Sequence, residues 1–351
     1  MERRSLGRSG IVLPKIVLGT MFREPARRET ELARLVDAAL AAGLSALDTA
    51  PLYGFGESEA LLGRLLAGRR ERITLLGKVG LRWDGGYGEP LFETEIAGRR
   101  VAVRRDARPE AIVRDLEESL RRLRTDRLDL VQIHHRDRDT PLAESLGALQ
   151  GLRDAGKLRA IGVCNFDGDA IDDCQRLLGA PGLASVQNGF SLLDRGDERE
   201  VLPRAGRGDF GYLAYSPLSR GILGGRLLAG ALAARDGRAK TPLYQPKNVA
   251  AIHAAMATQL APLAQERGVG VAAIALAWVL AVPGVTSAIC GAQDERQLAD
   301  AVAACAVSLT PDEHRRVGHA FSALALDRRA GLPLRARVAR RLRRILARLR
   351  G

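Results

Sequence analysis

The sequence has few cysteines, few lysines and no long apolar segment. Its four cysteines, at positions 164, 174, 290 and 305, form no CxxC pair and no compact cluster with histidine. We therefore expect neither a disulfide framework nor a metal site. No run of about 18 apolar residues occurs, and the N-terminus lacks the apolar stretch of a secretory signal. These absences favour a cytoplasmic protein without a membrane-spanning segment.

Basic charge is concentrated at one end of the chain. The formal net charge of the 351 residues is +13. Ten arginines and no acidic residue lie between positions 328 and 351, so removing their ten charges leaves +3 for the rest. A nearly neutral body argues against a broad nucleic-acid surface. We therefore expect no specific nucleic-acid partner.

Short apolar runs alternate with helical patterns along most of the chain. Each run is bounded by Gly, Pro or polar residues, which is typical of strands buried on both faces of a parallel sheet. The predicted strands are Lys15–Gly19, Ser45–Ala50, Ile73–Val79, Leu128–His134, Ala160–Asn165, Ala184–Phe190, Gly211–Ser216 and Ser287–Gly291. The predicted helices include Glu29–Ala42, Pro109–Leu123, Thr140–Ala155 (with Thr140 as N-cap) and Asp294–Ala304.

Eight strands that alternate with helices imply right-handed βαβ units and favour a closed (β/α)8 TIM barrel. We predict this barrel for residues 1–325 and an arginine-rich amphipathic tail for residues 326–351. Tail residues Leu334, Val338, Leu342, Ile345 and Leu349 recur at helical spacing. We favour a helix that packs on the barrel flank or frays in solvent. Peripheral docking on an anionic membrane surface or nucleic acid remains the alternative.

Three segments interrupt the alternation. Arg4–Pro14 is predicted to form a hairpin at the barrel floor. Gly80–Arg108 contains an alternating stretch, Leu91–Val103, with a turn at its centre, which predicts a β-hairpin inserted after the third strand. Leu218–Lys247 is a second long loop, and loops of this length in compact domains often carry function.

Polar residues follow several predicted strands, where barrel enzymes carry their catalytic groups. Asp48 lies near the end of the second strand with Tyr53 five residues later, Lys78 near the end of the third and His134 at the end of the fourth. A buried lysine needs a partner, and Asp48 is the natural candidate for Lys78. A lysine cation lowers the pKa of a nearby tyrosine, which then exchanges a proton with a substrate oxygen that a histidine orients. The combination predicts carbonyl reduction or the reverse alcohol oxidation.

These residues belong to a set of motifs that resembles the aldo-keto reductase family. The motifs are Asp-Thr-Ala-Pro-Leu-Tyr-Gly at 48–54, the lysine at 78, Asp-Leu-Val-Gln-Ile-His at 129–134, Gly-Val-Cys-Asn-Phe at 162–166, Val-Gln-Asn at 186–188, Ala-Tyr-Ser-Pro-Leu at 214–218 and Gly-Ala at 291–292. They occur in the family's order, and the resemblance extends from about residue 4 to residue 305. It implies an oxidoreductase of the EC 1.1.1 type that moves a hydride between NADP(H) or NAD(H) and an aldehyde, ketone or sugar, or the corresponding alcohol.

The resemblance also implies roles for individual residues. The catalytic tetrad would be Asp48, Tyr53, Lys78 and His134, with Tyr53 as general acid or base. Contacts with the cofactor, from the nicotinamide to the adenosine phosphate, would come from Gly19, Thr20, Met21, Asp48, Cys164, Asn165, Gln187, Tyr215, Ser216, Leu218, Arg220, Gly291, Ala292, Gln293 and Gln297. Substrate contacts would come from Phe22, Phe55, Trp83 and His135.

The sequence departs from the family pattern at several of these positions. Cys164 replaces a serine, His135 replaces an aromatic residue, and Gln293 replaces a frequent Arg or Ser. Asp300-Ala301 also replaces a frequent Glu-Asn pair. The changes at Gln293 and at 300–301 weaken the case for binding of a 2′-phosphate, so the choice between NADP(H) and NAD(H) stays open. The alternative function is a regulatory or scaffold protein of the same fold that binds the cofactor with little or no turnover. The substrate, the favoured direction and the state, monomer or homo-oligomer, stay open as well.

Overall fold

The strands of the protein follow the alternation in the sequence closely. A computed structural model describes residues 1–225, 238 and 241–328. In chain order its strands are β1 (Arg3–Ser5), β2 (Val12–Pro14), β3 (Ile16–Gly19), β4 (Ala46–Asp48), β5 (Thr74–Val79), β6 (Leu81–Arg82), β7 (Pro90–Ile96), β8 (Arg99–Arg105), β9 (Leu128–Ile133), β10 (Leu158–Cys164), β11 (Ser185–Gly189), β12 (Gly211–Tyr215) and β13 (Val285–Gly291). The tail from position 329 onward lies outside the described residues.

Eight parallel strands close into a barrel in the order β3-β4-β5-β9-β10-β11-β12-β13, and β13 pairs with β3 to complete it. These are the eight segments predicted as strands, with ends that differ by at most two residues. The prediction of a (β/α)8 TIM barrel is therefore confirmed.

Helices surround the barrel and cover the outer faces of its strands. They are α1 (Glu29–Ala41), α2 (Glu57–Leu65), α3 (Pro109–Leu123), α4 (Leu142–Asp154), α5 (Gly168–Leu178), α6 (Val201–Gly206), α7 (Pro246–Ala255), α8 (Ala261–Arg267), α9 (Val271–Ala281), α10 (Glu295–Ala304) and α11 (Pro311–Ser322). The predicted N-cap of α4 is wrong. Thr140 does not cap the helix, because its hydroxyl instead donates to Asp137 Oδ2 at 2.7 Å.

The N-terminal hairpin, β1 and β2, closes the floor of the barrel. Leu6, Ile11 and Leu13 are almost fully buried and pack against inward-facing barrel residues, among them Val17, Ala46, Leu76, Leu130 and Leu213. Because side chains alternate between the faces of a strand, the next inward position lies two residues further along. There the chain carries Asp48, Lys78, Gln132 and Tyr215. The barrel interior thus changes from apolar at the floor to polar at the carboxyl ends of the strands.

A β-hairpin stands on the loop that follows β5, as the alternating pattern predicts. β7 and β8 pair in antiparallel register, and β6 pairs with the other edge of β8. The connecting residues Ala97 and Gly98 have φ of +48° and +76°, as a two-residue turn of the mirror-image type requires. The Tyr87 hydroxyl lies 3.0 Å from Thr140 Oγ1, so the base of the hairpin is attached to the loop that precedes α4.

Helix length and composition give no single membrane span among the residues that the structure describes. One helix pair, Pro246–Arg267 with Val271–Ala281, passes the same criteria jointly but is bent by 97° at the break.

Candidate active site

Asp48, Tyr53, Lys78 and His134 lie together at the carboxyl ends of β4, β5 and β9. Lys78 Nζ lies 2.5 Å from Asp48 Oδ1 and 3.1 Å from Tyr53 Oη. It also donates to the Thr49 carbonyl oxygen at 3.2 Å. The rings of Tyr53 and His134 meet edge to face, with 6.3 Å between their centroids. The four side chains that the sequence singled out are therefore neighbours in the fold.

A tight turn brings Tyr53 into this group. The chain leaves β4 and makes a 3₁₀ turn, Tyr53–Gly56, before α2 begins. Gly54 and Gly56 have φ of +61° and +97°, a region that glycine adopts freely. Phe55 between them has φ +53°, which costs a residue with a side chain roughly 1–3 kcal/mol. The rest of the structure must hold this turn, and the turn returns the Tyr53 hydroxyl to Lys78.

Burial sets the protonation of this group. It raises the pKa of Tyr53 to about 12, against the opposing effect of the Lys78 charge. Burial alone would lower the pKa of Lys78, but the charges of Asp48 and Tyr53 outweigh it, and the net shift of that pKa is upward. Burial and the Lys78 charge hold the pKa of His134 well below its usual range. At neutral pH the group therefore combines a protonated phenol, a cationic ammonium and a neutral imidazole.

Asp48 is held on both sides. Its Oδ1 accepts from Lys78, and its Oδ2 accepts from Gln187 Nε2 at 2.9 Å. Its backbone carbonyl accepts from both N and Oγ1 of Thr20, each at 2.9 Å. Thr20 at the end of β3 and Gln187 on β11, both assigned to the cofactor by resemblance, are thereby attached to the tetrad.

Gly19 joins the two sides of the barrel mouth. It pairs with Asp48 on β4 and with Gly291 on β13. An added Cβ at Gly19 would come within 3.1 Å of Ile289 Cγ2 and 3.4 Å of Gly291 N. Because Gly19 has no side chain, the ends of β3 and β13 can approach each other without a steric clash. Ala292, the residue after β13, is fully buried.

The ends of β10 and β12 carry an amide and a tyrosine that contact each other. Asn165 Nδ2 donates to the His134 carbonyl oxygen at 2.9 Å and lies 3.2 Å from His135 Nε2. Asn165 Oδ1 accepts from the Tyr215 hydroxyl at 2.7 Å. An amide pairs well with another amide, and a tyrosine ring offers a flat stacking face. Both features suit an aromatic ring that carries a carboxamide.

Cys164 lies between two amide side chains. Its thiol donates to Gln187 Oε1 at 3.6 Å, and its sulfur accepts from Asn165 Nδ2 at 3.2 Å. Burial raises the pKa of Cys164 to about 12, so the group is a neutral thiol. It therefore links the two amides by hydrogen bonds weaker than those a hydroxyl makes, and it is not a thiolate nucleophile.

The loop after β12 has an unusual backbone. Ser216, Ser219, Arg220 and Gly221 all have positive φ, between +47° and +99°. Inside this loop the N–H groups of Ser219 and Gly221 donate to the carbonyl oxygens of Ser216 at 2.8 Å and Leu218 at 2.9 Å. The Tyr244 hydroxyl lies 2.9 Å from the Ser219 carbonyl oxygen and 2.8 Å from that of Arg220, which holds the turn. Leu218, in the same loop, packs against the apolar core.

Gln293, just after β13, joins three segments. Its Nε2 donates to the Met21 carbonyl oxygen at 3.2 Å, and its Oε1 accepts from Arg23 N at 3.0 Å. Its own N–H donates to Gln297 Oε1 at 3.2 Å. Arg28 Nη2 donates to the Gln293 carbonyl oxygen at 2.7 Å. A guanidinium thus stands beside the segment assigned by resemblance to the adenosine phosphate.

Two aromatic residues on different loops meet beside the tetrad. The rings of Phe55 and Trp83 are 5.2 Å apart, edge to face. Arg82, next to Trp83, is buried and lies 2.5 Å from Asp115 Oδ1, which fixes the start of the insertion loop. Phe22, in contrast, is only 5% exposed and packs in the core. Of the expected substrate residues, Phe55 and Trp83 are therefore better placed than Phe22 to form a pocket wall.

His135 is the remaining candidate for a substrate contact. Its ring stacks on His134 with 5.6 Å between centroids, and it is partly buried. Burial and the charge of Arg105 lower the pKa of His135 to about 4. It is therefore neutral at physiological pH and offers one donor and one acceptor.

Sequence reasoning missed two residues of this site. Gln132 on β9 is fully buried and contacts Gln187, and Arg28 contacts Gln293. A polar residue two positions before His134, on the same face of an apolar strand, is a signal that could have revealed Gln132. Arg28 gave no signal, because its partner is 265 positions away in the chain.

Comparison with known proteins identifies the family. Residues 15–320 match the sequence model of the aldo/keto reductase family. The chain belongs to the aldo/keto reductase family. It is 34% identical to the oxidoreductase YrpG of Bacillus subtilis over 334 residues, covering 92% of this chain and 96% of the relative. It is 31% identical to an NADH-specific methylglyoxal reductase of Escherichia coli over 320 residues, covering 88% and 95%.

A solved structure of an aldo/keto reductase relative agrees in fold. The glycerol dehydrogenase of Gluconobacter oxydans superposes with a TM-score of 0.80 at 33% identity, covering 95% of this chain and 97% of that one. Family membership and these relatives support an oxidoreductase that uses a nicotinamide cofactor in NAD(P)-dependent carbonyl reduction.

Proposed function

We propose that this aldo/keto reductase catalyses reversible hydride transfer between NAD(P)(H) and a carbonyl or alcohol substrate, with Tyr53 as general acid and base. The contact of Tyr53 Oη with Lys78 Nζ at 3.1 Å, in a buried group anchored by Asp48, carries the proposal. A phenol beside a buried ammonium is an acid whose conjugate base is stabilised in place.

The side chains divide the work as follows. When bound, the nicotinamide supplies or accepts the hydride. During reduction the Tyr53 hydroxyl gives its proton to the substrate oxygen, and Lys78 stabilises the phenolate that remains. Asp48 keeps Lys78 charged and in place. His134, which is neutral, donates a hydrogen bond that orients the substrate oxygen. In oxidation the same Tyr53 removes the alcohol proton.

The donor set around the barrel mouth fits a dinucleotide. Asn165 and Gln187 would hold the carboxamide, and Tyr215 would stack on the nicotinamide ring. The loop from Ser216 to Gly221 would contact the pyrophosphate, with the Arg220 guanidinium supplying positive charge. At the adenosine end a phosphate would meet the Arg28 guanidinium, which also pairs with Glu31 and donates to the Gln293 carbonyl oxygen. The Gln293 side chain is neutral and bonds Met21 and Arg23.

The substrate is proposed to be small and uncharged. The aromatic pair Phe55–Trp83 offers an apolar wall, and the neutral His135 offers hydrogen bonding to a hydroxyl or carbonyl group. One relative is named for methylglyoxal and another for glycerol. Three-carbon carbonyls and polyols are therefore the first compounds to test.

Cofactor titration with a matched pair of tyrosine variants tests the proposal. The protein is titrated with NADH and NADPH by fluorescence, then assayed on methylglyoxal, glyceraldehyde and glycerol. Tyr53→Phe should bind cofactor normally but lose about 10²–10⁴-fold in kcat, since only the transferable proton is removed. The control is Tyr212→Phe, which removes a buried hydroxyl that bonds Asp197 outside the site.

The outcomes separate the two functions. Turnover that collapses only in Tyr53→Phe supports the enzyme. Cofactor binding with no turnover on any substrate favours the regulatory or scaffold alternative. Equal turnover in Tyr53→Phe and the wild type contradicts the assigned role of Tyr53.

A further inference from the structure

A glutamine is buried beneath the tetrad, where no catalytic role is assigned. Gln132 on β9 is in register with Lys78 on β5 and with Gly162 on β10. Its side chain is fully buried and crosses Gly162, where an added Cβ would come within 3.1 Å of Gln132 Cγ. By passing over this glycine it reaches β11 and contacts Ser185 and Gln187.

The hydrogen bonds of Gln132 define which way its amide faces. Its Oε1 accepts from Ser185 Oγ at 3.2 Å and from Gln187 Nε2 at 3.4 Å. Its Nε2 is buried and has no hydrogen-bond partner among the described residues. Flipping the amide would place Nε2 against Gln187 Nε2, and two donors would then face each other. The observed orientation is therefore the one that Gln187 requires.

Gln132 in turn restricts the orientation of the Gln187 side-chain amide. The two N–H groups of Gln187 are directed at acceptors on two different strands, Asp48 Oδ2 on β4 at 2.9 Å and Gln132 Oε1 on β9 at 3.4 Å. Two acceptors fix the plane of an amide as well as its direction. Among the described residues, Gln187 Oε1 accepts only from the weak Cys164 thiol at 3.6 Å, so it retains a lone pair for another donor.

We propose that Gln132 is a positioning residue of the cofactor site. Gln132 orients the Gln187 amide. In that orientation Gln187 Oε1 is available to the N–H group of the cofactor carboxamide, and one N–H group of Gln187 stays bonded to Asp48. A buried chain, Gln132–Gln187–Asp48–Lys78–Tyr53, then connects the nicotinamide end of the site to the proton donor. This inference rests on the proposed function, because it takes Gln187 as a cofactor contact.

The first test replaces Gln132 by a side chain of similar shape that accepts no strong hydrogen bond. In Gln132→Met we expect NADH or NADPH to bind about fivefold to tenfold more weakly, since one oriented hydrogen bond is lost. The KM for the carbonyl substrate should stay within about twofold, because Gln132 is buried below the site. Ser287→Ala removes another buried barrel hydrogen bond, to Pro14 O at 2.7 Å, and should leave cofactor affinity unchanged.

A double-mutant cycle distinguishes positioning from general damage. If Gln132 acts only through Gln187, Gln132→Met/Gln187→Met should bind cofactor no more weakly than Gln187→Met alone. Additive losses, or unchanged affinity in Gln132→Met, would overturn the inference. Wild-type protein that binds neither cofactor would instead overturn the proposed function. Should Gln132→Met fail to fold, Gln132→Glu, which burial keeps as the neutral acid, still offers a carbonyl oxygen to Gln187. We expect its affinity to remain within about threefold of wild type, and a loss of tenfold or more contradicts the inference.

Discussion

Replacing Lys78 by methionine separates the stability of the buried ion pair from its chemistry. Lys78 and Asp48 are each 1% exposed, with 2.5 Å between Nζ and Oδ1. Methionine preserves the length of the side chain but leaves the Asp48 carboxylate with uncharged side-chain donors, Gln187 Nε2 at 2.9 Å and the Tyr53 hydroxyl at 3.5 Å. Breaking one partner of a buried pair costs about 3–5 kcal/mol, because an uncompensated charge remains buried. We expect the free energy of unfolding of Lys78→Met to fall by that amount.

The effect on turnover follows from the distance to Tyr53. At 3.1 Å and an effective dielectric constant of about 20, an ammonium stabilises a phenolate by about 5 kcal/mol. That energy corresponds to about four pKa units, at 1.36 kcal/mol per unit. Loss of Lys78 therefore raises the pKa of Tyr53 further. The rate of alcohol oxidation, which needs the phenolate, should fall by about 10³–10⁴-fold.

The assay combines urea denaturation with steady-state kinetics. Lys157→Met is the matched control, because Lys157 pairs with Glu117 on the surface and both side chains are more than a third exposed. Such a pair is worth no more than about 1 kcal/mol, and its loss should leave kcat unchanged. In Asp48→Asn/Lys78→Met the unpaired charge is removed, so stability should recover in part while turnover stays lost. Oxidation rates within tenfold of wild type in Lys78→Met would refute the reasoning.

Two further predictions concern pH and cofactor choice. Burial raises the pKa of Tyr53 to about 12, so the acid form needed for reduction is abundant below that value and the base form needed for oxidation is scarce. kcat/KM for oxidation should therefore rise about tenfold per pH unit between pH 6 and 10, while kcat/KM for reduction stays constant over the same range. A change of slope near pH 7 in either profile would contradict this assignment. Arg28→Ala should weaken the binding of NADPH at least about tenfold more than the binding of NADH, because only NADPH carries the 2′-phosphate that can accept a charge-assisted hydrogen bond from Arg28. Equal losses of affinity for the two cofactors in a fluorescence titration would exclude a phosphate contact.

The sequence predicts the barrel well because each strand is specified locally. Continuous apolar runs between glycines mark strands buried on both faces, and one residue out of two along them faces the interior. Asp48, Lys78 and His134 each lie at or near the carboxyl end of an apolar run. Because the strands are parallel, their carboxyl ends meet at one end of the barrel, which places the three side chains together. The turn at 97–98 was predictable for the same local reason, because a two-residue hairpin turn favours glycine at a positive φ.

The parts that could not be predicted depend on contacts between distant segments. Thr140 has the residue type and position of an N-cap, yet Asp137 three residues earlier takes its hydroxyl proton. Phe22 is apolar and follows the assigned cofactor residues directly in the sequence. The structure shows that its side chain packs in the hydrophobic core, whereas its neighbour Met21 is 66% exposed. Which of two neighbouring apolar residues faces the pocket is decided by tertiary packing, and no local pattern records it.

The buried ion pair itself argues for an enzyme over a scaffold of the same fold. Replacing a buried pair by apolar side chains of similar volume is often neutral or stabilising, so stability alone does not explain why Asp48 and Lys78 are buried together. A protein that only bound a dinucleotide would need the amides and the backbone N–H groups of β10 to β13, on the other arc of the barrel. It would not need a cation 3.1 Å from a buried phenol. The arrangement is explained if that phenol must lose and regain a proton, because the cation then stabilises a state that mere binding never populates.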